Sequence, residues 1–346
     1  MKLSFADHIE IISTPLHSTL MGGGCMDSLK ELCSLFPFDL SRDFGFESRL
    51  GEPSAACDFS FLIGKDTEGA KILAGKNPIS DLHESLLADP LWQRIRRFFF
   101  EWNTQGPLLA GSVESVWFEF DYDGKSYNRC PNIFFGIVAD GKTGRKAWAE
   151  STIRILDEIY HILFNIPFPV ELAANLRMSI LALPEHACLY QTGLMIPRHA
   201  EAVRLVLTKI NAGHLEPYLR DICWPGDFQK VSFLTDRYAG LFDYFVCNIN
   251  IGKEILPYLA LEMLFTNLSQ PRFNPKWEAA LDVLESDKLV TREKREALLS
   301  FCGKTKCEFP HPANYIRGLN HLKIVCKERA PVECKGYFGT MMRDGF

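Results

Sequence analysis

With 346 residues, 47% of them hydrophobic and 23% charged, the chain can bury a large core and is too apolar for a disordered segment. A net charge of -5 excludes a surface that attracts nucleic acid as a whole, while a local basic cavity remains compatible with an acidic exterior. No apolar run reaches the ~20 residues that span a bilayer, because the greasy stretch Leu256 to Phe265 is interrupted by Glu262.

The N-terminal residues lack the basic region and apolar run of a secretory signal, and eleven cysteines without regular spacing read as reduced thiols of a cytoplasmic protein. Met26, Leu29, Leu32, Cys33 and Phe36 recur at helical spacing before Pro37, predicting a first helix. Two strands are predicted next, Cys57 to Ile63 and Ala70 to Ala74, followed by a helix opened by Asp89-Pro90 over Leu91 to Trp102. A second hairpin joins Val116–Asp121 to Asn132–Val138 and precedes a helix over Lys146 to Phe164. The third pair is read as Arg177 to Leu183 with Cys188 to Ile196, then helices from Pro197 to Ile210 and from His214 to Ile222. Lys230 to Leu234 is a possible extra strand. A fourth pair spans Tyr244 to Ile251 and Leu256 to Phe265, with Asn274-Pro275 and Thr291 opening the helices that follow. The fifth pair is Asn320 to Val325 and Glu333 to Phe338.

No Gly/Ser-rich linker divides the chain, so a single domain over 1–346 is expected, with a repeating core over about 26–340. Ten antiparallel strands with helices between the hairpins form either an open sheet covered by helices or an α+β barrel, closed on itself with helices outside. The strands divide accordingly. Val116, Phe118 and Phe120 oppose Trp117, Glu119 and Asp121, and Leu259, Leu261 and Met263 oppose Tyr258, Ala260 and Glu262. Glu333, Lys335 and Tyr337 share one side of the last strand, opposite in kind to the apolar face that helices would cover. Trp117, Tyr190, Tyr258 and Tyr337 are costly on a solvated face and suitable as walls of a ligand cavity.

Five such units, together with Lys335-Gly336-Tyr337 and Leu322-Lys323-Ile324, resemble the ABBA-type aromatic prenyltransferases, in which helix-strand-strand-helix units close a ten-stranded antiparallel barrel, the PT-barrel. The resemblance implies lysines and arginines holding an allylic diphosphate, and tyrosines shielding a carbocation. It implies an enzyme of specialised metabolism that transfers an isoprenoid to an aromatic small molecule or a peptide side chain. No cofactor is then required, and Mg serves at most as a non-essential diphosphate counterion.

A departing diphosphate needs clustered cations, and Lys323 and Lys335 are the candidates on the strands, with Arg177 and Arg198 at the rim. The ring faces of Trp117, Tyr190, Tyr258 and Tyr337 suit a cation through its attraction to π electrons. Aromatic substitution also releases a proton, for which Glu119 is the first candidate base and Glu262 the second; a buried ion pair with a lysine is the other role open to either. Glu158 and His161 lie one turn apart without a second such motif, and no histidine pattern indicates a metal. Gly22-Gly23-Gly24 lacks the lysine and hydroxyl of a phosphate loop and reads as a turn. A non-catalytic peptide- or partner-binding protein fits the same pattern, as does another enzyme acting on an anionic substrate in the same cavity.

Overall fold

The computed structural model describes residues 3–77, 79–104, 108–137, 144–198, 201–266, 275–308 and 312–344. Its strands are β1 (Asp43–Arg49), β2 (Cys57–Gly64), β3 (Val113–Phe120), β4 (Asn132–Ile137), β5 (Cys188–Leu194), β6 (Val203–Thr208), β7 (Tyr244–Ile251), β8 (Ile255–Leu264), β9 (Gly303–Cys307), β10 (Ala313–Lys327) and β11 (Glu333–Asp344). Each of β1 to β7 pairs with the next, β8 pairs with β10, β10 with β11, and β11 returns to β1. Ten strands thus close an antiparallel barrel, which leaves no edge in the ring. The short β9 is added outside the ring on the first residues of β10, Ala313 to Arg317.

The outward face of the barrel is aromatic. Phe61 packs on Phe118 with ring centroids 5.2 Å apart, and Trp92 of the helix Pro90–Trp102 stacks over Phe118 at 5.8 Å. Asp89 accepts from the backbone N–H groups of Leu91 and Trp92, and Pro90 fills the first helical position, where no N–H is needed. That helix buries Trp92, Ile95, Phe98, Phe99 and Trp102, the face that covers the barrel. The helix Gly144–Phe164 buries Ile155, Leu156, Ile159 and Ile162 in the same way.

Several predicted elements differ. Ala70 to Ala74 belongs to a helix, Glu68–Leu73, because the Thr67 hydroxyl caps it by accepting the Ala70 N–H. The first hairpin is therefore β1 with β2, and the period-two alternation of Phe44, Phe46 and Ser48 against Gly45, Glu47 and Arg49 makes that strand. Arg177 to Leu183 lies in and just beyond the helix Val170–Leu181, where Leu172, Leu176, Ser179 and Ile180 are buried at helical spacing. Residues 203–208, expected in a helix, form β6, since Val203, Leu205 and Leu207 all turn outward into the core and the strand sits between β5 and β7. Lys230 to Leu234 is helical within Phe228–Tyr238, capped by Asp227. Gly22 caps, and Gly23 and Gly24 begin, the helix Gly23–Cys33. The helix expected after Asn274-Pro275 is Lys276–Ser286, with Pro275 at its cap, whereas Asn274 and Val138 lie outside the described residues.

Among the described residues, no helix is long and apolar enough to cross a membrane. All eleven cysteines are free thiols.

Candidate functional site in the barrel lumen

The inward faces divide into an apolar and a polar half. Phe134, Met195, Val206, Val246 and Leu264 form a cluster separate from the outer core, with Trp117 and Tyr244 packed against it. Beside it opens a cavity of about 260 Å³, whose walls include Glu47, Glu119, Arg204, Tyr258, Lys323, Lys335 and Tyr337. The register explains the gathering: β11 sets Lys335 opposite Lys323 and Tyr337 opposite His321, while β10 sets Lys323 opposite Glu262.

Both strand lysines are inside and both are neutralised. Lys335 donates to Glu47 Oε1, and the Tyr337 hydroxyl donates to Oε2 of the same carboxylate. Burial disfavours the Lys335 ammonium, yet the Glu47 and Glu333 carboxylates outweigh it and hold the group well above the usual lysine range. Lys323 Nζ lies 3.0 Å from Glu262 Oε1 and 5.2 Å above the Tyr337 ring, with the Tyr337 hydroxyl 3.4 Å away. Burial would raise the Glu262 carboxyl, but Lys323, His321 and the Asn248 amide hold it below the ordinary range. Glu262 is thus one half of a buried ion pair.

Arg204 is different. Only 6% exposed, its Nε donates 2.9 Å to the Asn250 side-chain oxygen and its guanidinium lies 4.5 Å over the Tyr258 ring. Among the described residues it makes no ion pair, although it lines the cavity. Buried charges are ordinarily paired, so among the described residues this guanidinium stands out as a buried positive group without a carboxylate partner. At the rim, Glu333 bridges Arg49 at 3.2 Å and Lys327 at 3.8 Å.

Glu119 lines the cavity and accepts from the Asn132 amide at 3.4 Å, an amide that also reaches Asp121 at 3.2 Å. Tyr190 is 56% exposed, at a bulge where β5 meets β6. Arg177 is not a rim cation: it lies on the outer helix, paired with Glu150 at 2.5 Å. Arg198 ends the short turn Ile196–Arg198, and its side chain lies outside the described residues. Glu158 and His161 sit on the helix Gly144–Phe164, and no group of three or more metal-ligating side chains occurs among the described residues.

Glu47, Asp58 and Arg204 were not singled out from the sequence. Glu47 and Asp58 face each other across β1 and β2, and Asp58 is 4% exposed, accepting the Tyr122 N–H at 2.8 Å. Burial, then the Glu47 carboxylate, raise Asp58 to about 7. An unfolded aspartate titrates near 3.9, so from about pH 4 to about pH 7 the folded state keeps an extra proton and stability falls as pH rises. Asp58→Asn, which keeps the acceptor for Tyr122, is expected to add about 4 kcal/mol at pH 8 and almost nothing at pH 4. Urea unfolding at the two pH values measures this, and an equal gain at both would show that the carboxyl is not held neutral.

No protein-family model and no curated protein sequence matches the chain. Solved structures do. The 5-dimethylallyltryptophan synthase from Streptomyces coelicolor aligns at 12% identity over 97% of each chain, with a TM-score of 0.51. The same enzyme in complex with DMASPP and Trp aligns at 11% identity over 97% of this chain and 95% of that one, TM-score 0.52. The prenyltransferase PriB in its apo form aligns at 13% over 97% and 96%, TM-score 0.52. With its closed ten-stranded antiparallel barrel and surrounding helices, the chain has the fold of the ABBA-type aromatic prenyltransferases.

Proposed function

We propose that the chain is a transferase that binds an allylic diphosphate in the barrel lumen and passes its isoprenoid to an aromatic small molecule or a peptide side chain. The observation that supports this reading is Arg204, a residue only 6% exposed, which lines the cavity and makes no ion pair with a carboxylate among the described residues. A diphosphate supplies that missing charge, and Lys323 and Lys335 flank the same space with hydrogen-bond donors already fixed in place. Tyr258 and Tyr337, each with a cation already against its ring or held near it, offer the electron-rich faces that an allylic cation needs.

Departure of the diphosphate leaves the positive charge on the isoprenoid carbon, between those rings; attack by the acceptor then releases a proton. Glu119, at the cavity wall, is the proposed recipient. Glu262, committed to Lys323, serves in positioning that lysine. Mg is a counterion only in this scheme. A filled lumen with solvated lysines would have favoured a non-catalytic binding protein; the cavity and the burial of Lys323, 5% exposed, support the enzyme. Calorimetric titration with dimethylallyl and geranyl diphosphate, followed by mass analysis with aromatic and peptide acceptors, tests the proposal. Binding of at least one diphosphate is expected, and the absence of heat with every one would overturn it.

A further inference from the structure

Three carboxylates hold cations of the chamber, and one of them is held loosely. Glu47 is committed to Lys335 and Tyr337, and moving it would strand a buried ammonium and a buried hydroxyl. Glu262 is committed to Lys323 in the same way. Glu333 differs from both. It is the first residue of β11, opposite Val325 in the register, and lines the cavity together with Lys327. Its side chain is 26% exposed and lies 3.2 Å from Arg49 Nε and 3.8 Å from Lys327 Nζ, on side chains 40% and 53% exposed. Ion pairs this open to water contribute little to stability, and the second is too long for a hydrogen bond. The Glu333 carboxylate can therefore leave both cations for solvent at little cost.

The backbone around it stays fixed. Lys230, on the helix Phe228–Tyr238, donates to the Lys327 carbonyl at 3.2 Å and to the Ala330 carbonyl at 2.9 Å, which pins the turn between β10 and β11. On the other side the Leu50 N–H donates to the Cys334 carbonyl at 2.8 Å. Exchange at this point is a rotation of one side chain and not a movement of a loop. While Glu333 is in place it repels an approaching anion and covers two cations that would attract it. Arg49 has a second, looser carboxylate in Glu52 at 4.0 Å, whereas Lys327 pairs with Glu333 alone among the described residues. Replacing one carboxylate by another gains nothing at such a site. A diphosphate, with more than one negative charge, interacts with the two cations more strongly than the single charge it displaces.

We infer that Glu333 is a built-in competitor at the mouth of the chamber, an autoinhibitory carboxylate that holds Arg49 and Lys327 while the site is empty and is displaced by an entering phosphate group, which takes those cations over. The inference rests on the reading of the chamber as a diphosphate site and adds its regulation. The affinity of the site is then set by the ion pairs an anion breaks at the mouth as well as by the Arg204 guanidinium it reaches inside.

Calorimetric titration of the full chain with inorganic pyrophosphate tests this. Glu333→Gln keeps the size of the side chain and removes its charge, and is expected to bind pyrophosphate about tenfold more tightly than the wild type. Glu328→Gln removes the same charge from an exposed position on the same turn, outside the cavity wall, and is expected to change the affinity by less than about twofold. In a chain already carrying Arg49→Gln and Lys327→Gln, the gain from Glu333→Gln is expected to fall below about twofold, because no cation is left to release. A gain that persists in that background, or an equal gain from Glu328→Gln, shows a general field effect without displacement and overturns the inference. Pyrophosphate bound equally by the wild type and Glu333→Gln, or less tightly by the variant, overturns the inference and leaves the anion reading standing. Binding by neither protein rejects the anion reading and the inference with it.

Discussion

Arg204→Met is expected to weaken diphosphate binding by about 100-fold, close to 3 kcal/mol, while leaving the protein as stable as before or more so. The two halves of that outcome have one cause. In the unliganded chamber the guanidinium has given up water for one amide oxygen and one ring face, at 2.9 Å and 4.5 Å, and recovers little of its desolvation cost. A methionine keeps the apolar contact with Tyr258 and removes the buried charge. With a diphosphate bound, the same charge is paired, and its removal leaves phosphate oxygens facing an apolar side chain. A residue serving only the scaffold would behave in the opposite way, losing stability and not affinity. Calorimetry for binding and urea unfolding for stability measure both; a destabilised variant with unchanged diphosphate affinity would remove the basis of the proposed function.

The ligand end represented by Arg204 was hidden in the sequence for a local reason. Val203-Arg204-Leu205-Val206-Leu207 is too uniformly apolar to show a strand's alternation, and Pro197 upstream reads as a helix start. Only pairing with β5 and β7 makes it a strand and turns Arg204 inward. The barrel itself was legible, because Trp117, Glu119 and Asp121 or Tyr258 and Glu262 alternate with residues that helices cover. Lys323 and Lys335 were legible for the same reason. Their partners divide by distance in the chain: Glu262 lies on a predicted strand, whereas Glu47 lies 288 residues from Lys335 in a stretch where no element is predicted. Alternation shows which side chains share a face, but not which of them touch across a closed ring.

The seam where the last strand meets the first supplies the largest expected loss of stability. Glu47→Leu is expected to cost about 3–5 kcal/mol, because it leaves the Lys335 ammonium buried and the Tyr337 hydroxyl without its acceptor. The Glu47 side chain is 6% exposed and that of Lys335 14%, so water cannot replace the lost partner at little cost. β1 and β11 pair from Asp43 with Met341 to Arg49 with Lys335, and this ion pair spans the junction that closes the ring. Adding Lys335→Met removes the stranded charge, and the double variant is expected to recover most of the loss. Denaturant midpoints for the four proteins of the cycle give the coupling directly. Additive losses would show that the two groups act separately, and that the seam is held by its backbone ladder, by Phe46 against Phe338 and by the more exposed pair Arg49–Glu333. A recovered double variant would also expose Arg204 and Lys323 in a lumen stripped of one compensated pair. Since that pair carries no net charge, its removal should alter diphosphate affinity far less than Arg204→Met does. Stability and anion affinity therefore respond to different cations of the same cavity, the paired one and the unpaired one.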